Sequence, residues 1–414
     1  MNYRECLDYL NRLGDQVAVA KFGLDNIRTL LGALGNPHRR FPSVLIAGTN
    51  GKGSVASFLS SIFTSAGHKT GLYTSPHLIS VDERISVNGR RISADSFAAC
   101  ISRTVDAIQA LALPYHPTFF ETVTATAFLS FAEAGADIAV VEVGMGGRND
   151  STNVLEPTLS VITPISIDHQ QYLGQSFKEI AFQKAGIIHR RGTAISAGQL
   201  LEVRSVLEEE AARQEAELRF VDEGRAHVTG SEGGRYHFSL DGMQFELNLH
   251  GRHQVGNAVL AISATEILQE KGFPFTRSAI ADGINRASIP GRIQKIGECP
   301  AVFLDGAHND EALEKLADFV EEHTRRPRSL VFGMMSDKRI STSVRRLTTC
   351  FDSIYLTRTS SKRAATASNL ARLFPTGTWV DDPLEALTLA RQHSVTVVVT
   401  GSLYLVGEVL ASSS

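Results

Sequence analysis

The residues Gly48-Thr49-Asn50-Gly51-Lys52-Gly53-Ser54 carry the strongest chemical signal in the chain. They follow the apolar run Val44-Leu45-Ile46-Ala47 and precede Val55-Ala56-Ser57-Phe58-Leu59, which reads as strand, glycine-rich turn and helix. Such a turn aims backbone N–H groups and a helix N-terminus at a phosphate, where the helix dipole favours negative charge. Lys52 adds a positive charge on the outer phosphates, and the Ser54 hydroxyl can ligate Mg2+. The common P-loop reads G-x-x-x-x-G-K-[ST]. Here the first glycine stands two residues closer to Gly-Lys, and an extra glycine follows the lysine. That pattern points away from GTPases and kinases. An ordinary strand-to-helix turn would account for two glycines, but not for Gly-Lys-Gly-Ser in this setting.

Further candidates stand where apolar runs end. Glu142 closes the run Ile138–Val143 and is followed by Gly144-Met145-Gly146-Gly147-Arg148, whose glycines allow a ligand close to the backbone. Asp168 and His169 follow the run Leu159–Ile167, and Ser75 lies in Tyr73-Thr74-Ser75-Pro76-His77. Ser75, Glu142 and His169 could together hold a divalent ion near the phosphates, because Mg2+ takes few protein ligands and completes its shell with water and phosphate. Imidazole is an unusual Mg2+ ligand, and taken singly His169 reads as a satisfied histidine at a strand end. Lys184, in Phe182-Gln183-Lys184-Ala185-Gly186, is either a surface lysine at a helix end or a buried one open to chemical modification. Toward the C-terminus, Asp305-Gly306-Ala307-His308-Asn309, Gly333-Met334-Met335-Ser336-Asp337-Lys338 and Thr400-Gly401-Ser402-Leu403-Tyr404 are three polar loops at strand ends. Arg292 in Pro290-Gly291-Arg292 offers a forked contact to phosphate.

The elements that must position these groups follow from periodicity. Residues 1–37 read as helical, interrupted at Lys21-Phe22-Gly23-Leu24. From Ser43 strands and helices alternate, and the continuously apolar strands suit a parallel sheet buried on both faces. Tyr236–Leu240 and Phe245–Leu249 flank Asp241-Gly242, a hairpin signal, and a helix is expected around Asn257–Gln269. The run Glu208-Glu209-Glu210 is expected on a solvated helix face, with Val203, Val206 and Leu207 inward. After residues 290–300 the βα rhythm restarts. The expected fold is α/β: a P-loop-containing doubly wound parallel-sheet domain with a small antiparallel patch (1–292), then a smaller Rossmann-like α/β domain (293–414).

Bulk properties exclude several classes. A chain of 414 residues exceeds one usual hydrophobic core. Its net charge of −3, from 41 basic and 44 acidic residues, gives no support for nucleic-acid binding. Cys6, Cys100, Cys299 and Cys350 lie too far apart for a C-x-x-C site. No stretch approaches the length of a membrane span, and the first residues lack the apolar core of a signal peptide. A cytoplasmic monomer without membrane contact is expected.

Six blocks together resemble the folylpolyglutamate synthase/dihydrofolate synthase branch of the Mur ligase family. They are Gly48–Ser54, Thr74–His77, Glu142–Arg148, Lys184–Ile187, Asp305–Asn309 and Gly401–Glu408. The resemblance runs from about Phe22 to the C-terminus. It implies an ATP-dependent amide ligase that adds L-glutamate to dihydropteroate or to a folate carboxylate through an acyl phosphate. It further implies that Asn50, Gly51, Lys52, Gly53 and Ser54, with Asn257, Arg292 and Asp305, hold ATP. Ser54, Ser75, Glu142 and His169 would hold Mg2+. A carbamylated Lys184 would help to bind a second Mg2+. Phe22, Thr118, Asn149, Asp150 and Ser151 would touch the pteroate or folate. His308 and Ser402 would face glutamate, and Lys52, Lys184 and His308 would be catalytic. Where several relatives carry leucine, this chain has Asn149.

The physical chemistry agrees, since triphosphate, carboxylate and acyl phosphate gather negative charge that fixed cations and backbone donors stabilise. A hinge near 290–298 would let closure exclude water from the acyl phosphate. Three alternatives compete with the bifunctional reading. The first is a chain-extending folylpolyglutamate synthase only. The second is a Mur-type ligase for another carboxylate, such as a cell-wall precursor. Only about 45 residues precede the phosphate loop, too few for a further domain of usual size. The third is a nucleotide switch, which would not need Glu142, His169, Lys184 and His308 together.

Overall fold

A computed structural model describes residues 1–14, 23–111, 113 and 115–413. The contacts divide the chain into two compact units, Met1–Arg225 with Asn257–Arg286, and Ala226–Gly256 with Ala287–Ser414.

The first unit is built on an eight-stranded sheet. Its strands are β1 (Ser43–Ala47), β2 (Thr70–Tyr73), β3 (Ile85–Val87), β4 (Arg90–Arg91), β5 (Ile138–Glu142), β6 (Leu159–Ile162), β7 (Thr193–Ser196) and β8 (Glu217–Phe220). They lie in the order β4-β3-β2-β5-β1-β6-β7-β8. The pairs from β2 through β8 are parallel, and β3 and β4 extend the edge antiparallel. Every residue of β1, β5 and β6 is buried, as expected of central strands covered by helices on both faces. The helix Phe119–Ala134 starts with a capping box between Thr118 and Glu121 and ends at Gly135 in the left-handed conformation.

The expected strand Leu159–Ile167 stops at Ile162. Pro164 has no N–H to continue a ladder, and its carbonyl is turned instead to the phosphate loop. The acidic run 208–210 departs from expectation more sharply. Glu210 is buried, although the helix Leu201–Arg213 turns Glu208 and Glu209 to solvent as expected.

In the second unit, β9 (Ala226–Glu232), β10 (Arg235–Leu240) and β11 (Met243–His250) form a three-stranded antiparallel sheet. A six-stranded sheet runs β12-β13-β17-β14-β15-β16. Its members are β12 (Gln294–Glu298), β13 (Ala301–Leu304), β14 (Arg328–Phe332), β15 (Ser353–Leu356), β16 (Thr378–Trp379) and β17 (Thr396–Thr400). All neighbours are parallel except β12 with β13. The antiparallel patch, expected within residues 1–292, packs with this unit. His250 meets the Phe303 and Phe319 rings edge-on, and the Tyr236 hydroxyl donates to Glu322. Arg292 also falls in the second unit.

Among the described residues no helix is long and apolar enough to cross a membrane. All four cysteines are free; Cys6, Cys100 and Cys350 are buried, and Cys299 is exposed.

Candidate active site

In an open α/β sheet, ligands bind at the carboxyl ends of the strands where the strand order reverses. In the first unit the turns after β1, β5 and β6 occupy that place. Gly51 ends the phosphate loop as the N-cap of the helix Lys52–Ser65, at φ 90°. Gly48 stands at φ 144°, and a Cβ there would lie 1.9 Å from the Thr163 hydroxyl oxygen. Only glycine fits. The Thr49 N–H donates to the Pro164 carbonyl at 2.9 Å, and the Thr49 hydroxyl donates to the Ser166 carbonyl at 3.0 Å. The Asn50 amide donates to the Ser166 hydroxyl at 3.2 Å. The loop after β6 thus braces the phosphate loop, a role that neither Thr163 nor Ser166 advertises in sequence.

Two cations converge here. Lys52 Nζ donates to the carbonyls of Gly48 and Thr49, both at 3.2 Å. Lys184 Nζ donates to the Gly48 carbonyl at 2.7 Å. Lys184 comes from the last turn of the helix Phe177–Ala185 and is 4% exposed, so it is not a surface lysine. Two ammonium groups on one carbonyl, beside a helix N-terminus, favour an anion between them. Asn257, on the helix His253–Glu270, reaches the same loop with its side chain: a Cβ at Gly51 would approach its Oδ1 to 2.5 Å. Ser54 is buried in the first turn of the helix.

Glu142 is buried at the end of β5, and its Oε2 accepts from the Ser75 N–H at 3.1 Å. His169 caps the short helix Gln170–Leu173 in the left-handed conformation, with its Nε2 3.9 Å from Asp168. Among the described residues, no three His, Cys, Asp or Glu side chains are placed to hold a metal alone. The Glu142 carboxylate and the Ser54 and Ser75 hydroxyls are hard oxygen donors, which fits Mg2+ shared with phosphates rather than a protein cage. Two residues after Ser75, His77 Nδ1 accepts from Arg84 Nε at 3.0 Å. Burial, then the Arg84 charge, pull His77 down to about 3, so it is a neutral acceptor.

The expected folate contacts fare differently. Phe22 lies outside the described residues. Thr118 is buried, and its hydroxyl accepts from the Glu121 N–H as a helix cap. Asp150 is buried, and its carboxylate accepts from the N–H groups of Met145 and Thr152 and from the Thr152 hydroxyl. Burial pushes its carboxyl above the usual range. It builds the glycine loop from within. Ser151 begins a short 3-10 turn, and Asn149 is exposed. Sequence reading passed over Phe120, whose ring lies 6.1 Å from that of Tyr73 and would touch a Cβ on Gly144.

The second unit gathers its candidates on one sheet edge, after the paired strands β13 and β17. Asp305 accepts from the N–H groups of Ile293 and Ala307, each at 2.8 Å. Burial raises its carboxyl, against the lowering charge of Arg292. Arg292 lies over Gly306, where a Cβ would come 3.0 Å from its guanidinium. His308 Nδ1 is 2.8 Å from the Gly306 carbonyl, and since a carbonyl only accepts, Nδ1 carries the proton. The Ser402 hydroxyl accepts from the Tyr404 N–H as the last helix begins. The Thr400 hydroxyl and the Gly401 N–H both donate to the Ala307 carbonyl, which fastens the His308 and Ser402 loops together.

A phosphate loop on a doubly wound sheet, followed by a second parallel sheet with polar strand ends, defines a two-domain nucleotide-dependent ligase of the Mur type. Residues 46–265 match the Mur ligase middle domain and residues 291–403 the Mur ligase glutamate ligase domain, so the chain belongs to the Mur ligase family. Its similarity falls in the folylpolyglutamate synthase/dihydrofolate synthase branch. It is 36% identical to the dihydrofolate synthase/folylpolyglutamate synthase of Bacillus subtilis, over 94% of each chain. The Escherichia coli protein of the same name is 32% identical over 98% of this chain and 94% of its own. Folylpolyglutamate synthase of Mycobacterium tuberculosis, solved with ADP and AMPPCP, superimposes with a TM-score of 0.90 at 33% identity, covering 100% of this chain and 99% of that one. The E. coli FolC complex with DHPP and ADP gives 0.88 at 30% identity, covering 100% and 97%.

Proposed function

We propose that this chain is an ATP-dependent amide ligase that joins L-glutamate to dihydropteroate, to folate polyglutamates, or to both, through an acyl phosphate. The observation that carries the reading is the convergence of Lys52 and Lys184 on the Gly48 carbonyl, at a glycine loop that opens a helix. Family membership supplies the reaction class.

In this reading the Asn50–Ser54 loop and Lys52 hold the ATP phosphates, and Asn257, Arg292 and Asp305 hold the rest of the nucleotide. Ser54, Ser75, Glu142 and His169 would bind Mg2+, which when present neutralises phosphate charge and orients the transferring group. Carbamylation of Lys184 would add a carboxylate for a second Mg2+ and still leave one N–H for the Gly48 carbonyl. The substrate carboxylate attacks the terminal phosphate of ATP, and ADP leaves. The glutamate amine then attacks the acyl carbon, and phosphate leaves. The Gly306 carbonyl holds the His308 ring by its Nδ1–H, and in this reading the other ring nitrogen would serve the incoming glutamate amine. His308 and Ser402 would receive glutamate, and the Asn149–Ser151 segment with Phe120 would receive the pteridine-bearing substrate.

The test is phosphate release with ATP, glutamate and either dihydropteroate or tetrahydrofolate. Glutamate-dependent release with both substrates marks a bifunctional enzyme, and release with tetrahydrofolate alone marks a chain-extending one. Release with neither would reject the reading.

A further inference from the structure

The arginine that closes the glycine loop after β5 meets the buried glutamate of the acidic run. Arg148 contacts Glu210 at 3.1 Å and donates to the Phe182 carbonyl at 3.1 Å. Its guanidinium lies 4.1 Å from the centre of the Phe182 ring. Glu210 also accepts from Arg213 and Gln214, so its carboxylate is saturated. The backbone is joined as closely. The Arg148 N–H donates to the Gln183 carbonyl at 2.8 Å, and the Asn153 amide bridges the carbonyls of Arg148 and Gly186 at 3.1 and 3.0 Å. Two glycines permit this approach. A Cβ on Gly186 would come 2.3 Å from the Arg148 Cβ, and one on Gly147 would come 3.0 Å from the Lys184 carbonyl.

These contacts hold both sides of Lys184. Residues 182, 183 and 186 are tied to Arg148, and the far end of the Lys184 side chain reaches the Gly48 carbonyl. The same loop begins at Glu142. We propose that Arg148 and Glu210 are a positioning pair, which fixes the helix end bearing Lys184 against the strand end bearing Glu142 and so sets the reach of Lys184 to the phosphate loop. A planar guanidinium makes forked contacts of fixed geometry, which suits a clamp better than an ammonium would. The proposal rests on the reading of Lys184 as a ligase-site residue.

The test compares Arg148→Ala, Arg148→Lys and Glu210→Gln with the wild type, well below their melting transitions. Two quantities are read: turnover, and the rate at which Lys184 is acylated by an amine-reactive acetate ester, followed by peptide mass spectrometry. Loss of a group that orients a site residue costs about 10–100-fold in activity. Arg148→Ala should therefore lower kcat by about tenfold or more and speed Lys184 acylation by a similar factor, with KM for glutamate little changed. Arg148→Lys should fall between. Should Arg148→Ala not fold, the near-isosteric Glu210→Gln carries the same comparison. A clamp that serves stability alone would lower the melting midpoint and leave Lys184 acylation at the wild-type rate, which would overturn the proposal whatever the turnover. Lys184→Ala is made in parallel. Wild-type turnover there would refute the ligase-site reading itself, whereas an inactive Lys184→Ala beside unchanged acylation in the clamp variants would refute the pairing alone.

Discussion

Lys52 donates to the carbonyls of Gly48 and Thr49 in its own loop, at a helix N-terminus. A cation fixed there acts on developing phosphate charge, so its removal should cost chemistry first. Lys52→Ala is expected to reduce ATP-dependent ligation by about 10²–10³-fold, the usual cost of losing one fixed donor to developing charge. The melting midpoint should move little. Wild-type turnover in this variant would remove Lys52 from the phosphate site. At this scale the sequence was informative where residue type and spacing suffice. The phosphate loop, Glu142 and His308 all stand at strand ends as read. It was silent on structural duty. The Thr118 hydroxyl also caps a helix, and the Asp150 carboxylate also holds the loop 144–152. Nothing in a linear sequence shows that an acceptor is carrying backbone N–H groups of its own loop.

The helix Leu201–Arg213 teaches the same lesson one level up. Its acidic run reads as a solvated face, and two of its three glutamates are exposed. Glu210 is turned inward to Arg148, a residue 62 positions earlier. Burial alone would raise its carboxyl, but Arg213, Gln214 and Arg148 outweigh that and hold it below the ordinary value of 4.5. A depressed carboxyl stabilises the fold above its unfolded pKa and loses that contribution as pH falls through the folded one. Glu210→Gln should thus lower the melting midpoint near pH 7 by about 4–8 °C, as expected for about 2 kcal/mol lost in a unit of this size. The gap to the wild type should narrow as pH drops below about 4.5. A gap constant from pH 7 to pH 3 would show that the charge does not matter. The strand expected over Leu159–Ile167 was cut short for a reason visible beforehand, since Pro164 cannot donate to a ladder. That its carbonyl would brace the phosphate loop was not visible.

Across the molecule, each unit buries histidines in neutral form. Burial, then the nearby Arg39, brings His38 to about 4 in the first unit. Burial, then Arg235, does the same for His250 in the second, and burial, then Lys315, for His253. The unfolded chain takes up protons on these side chains below about pH 6.5, and the native state refuses them until about pH 4. Stability is therefore lost as pH falls through that window. The melting midpoint should decline from pH 7 to pH 5, and His38→Leu should make the decline shallower. An unchanged slope in that variant would show that His38 binds protons equally in the native and unfolded states. The sequence by itself determined the α/β class, the phosphate loop and the strand-end position of the polar residues. Apolar runs, glycines and prolines are local constraints that act the same wherever the chain goes. Only the tertiary structure decided which charges are buried. It brought Lys184 to Gly48 and Glu210 to Arg148, and it grouped the antiparallel patch with the second sheet. Those outcomes depend on which surfaces exclude water together, a property of contacts between distant segments that no run of residues encodes alone.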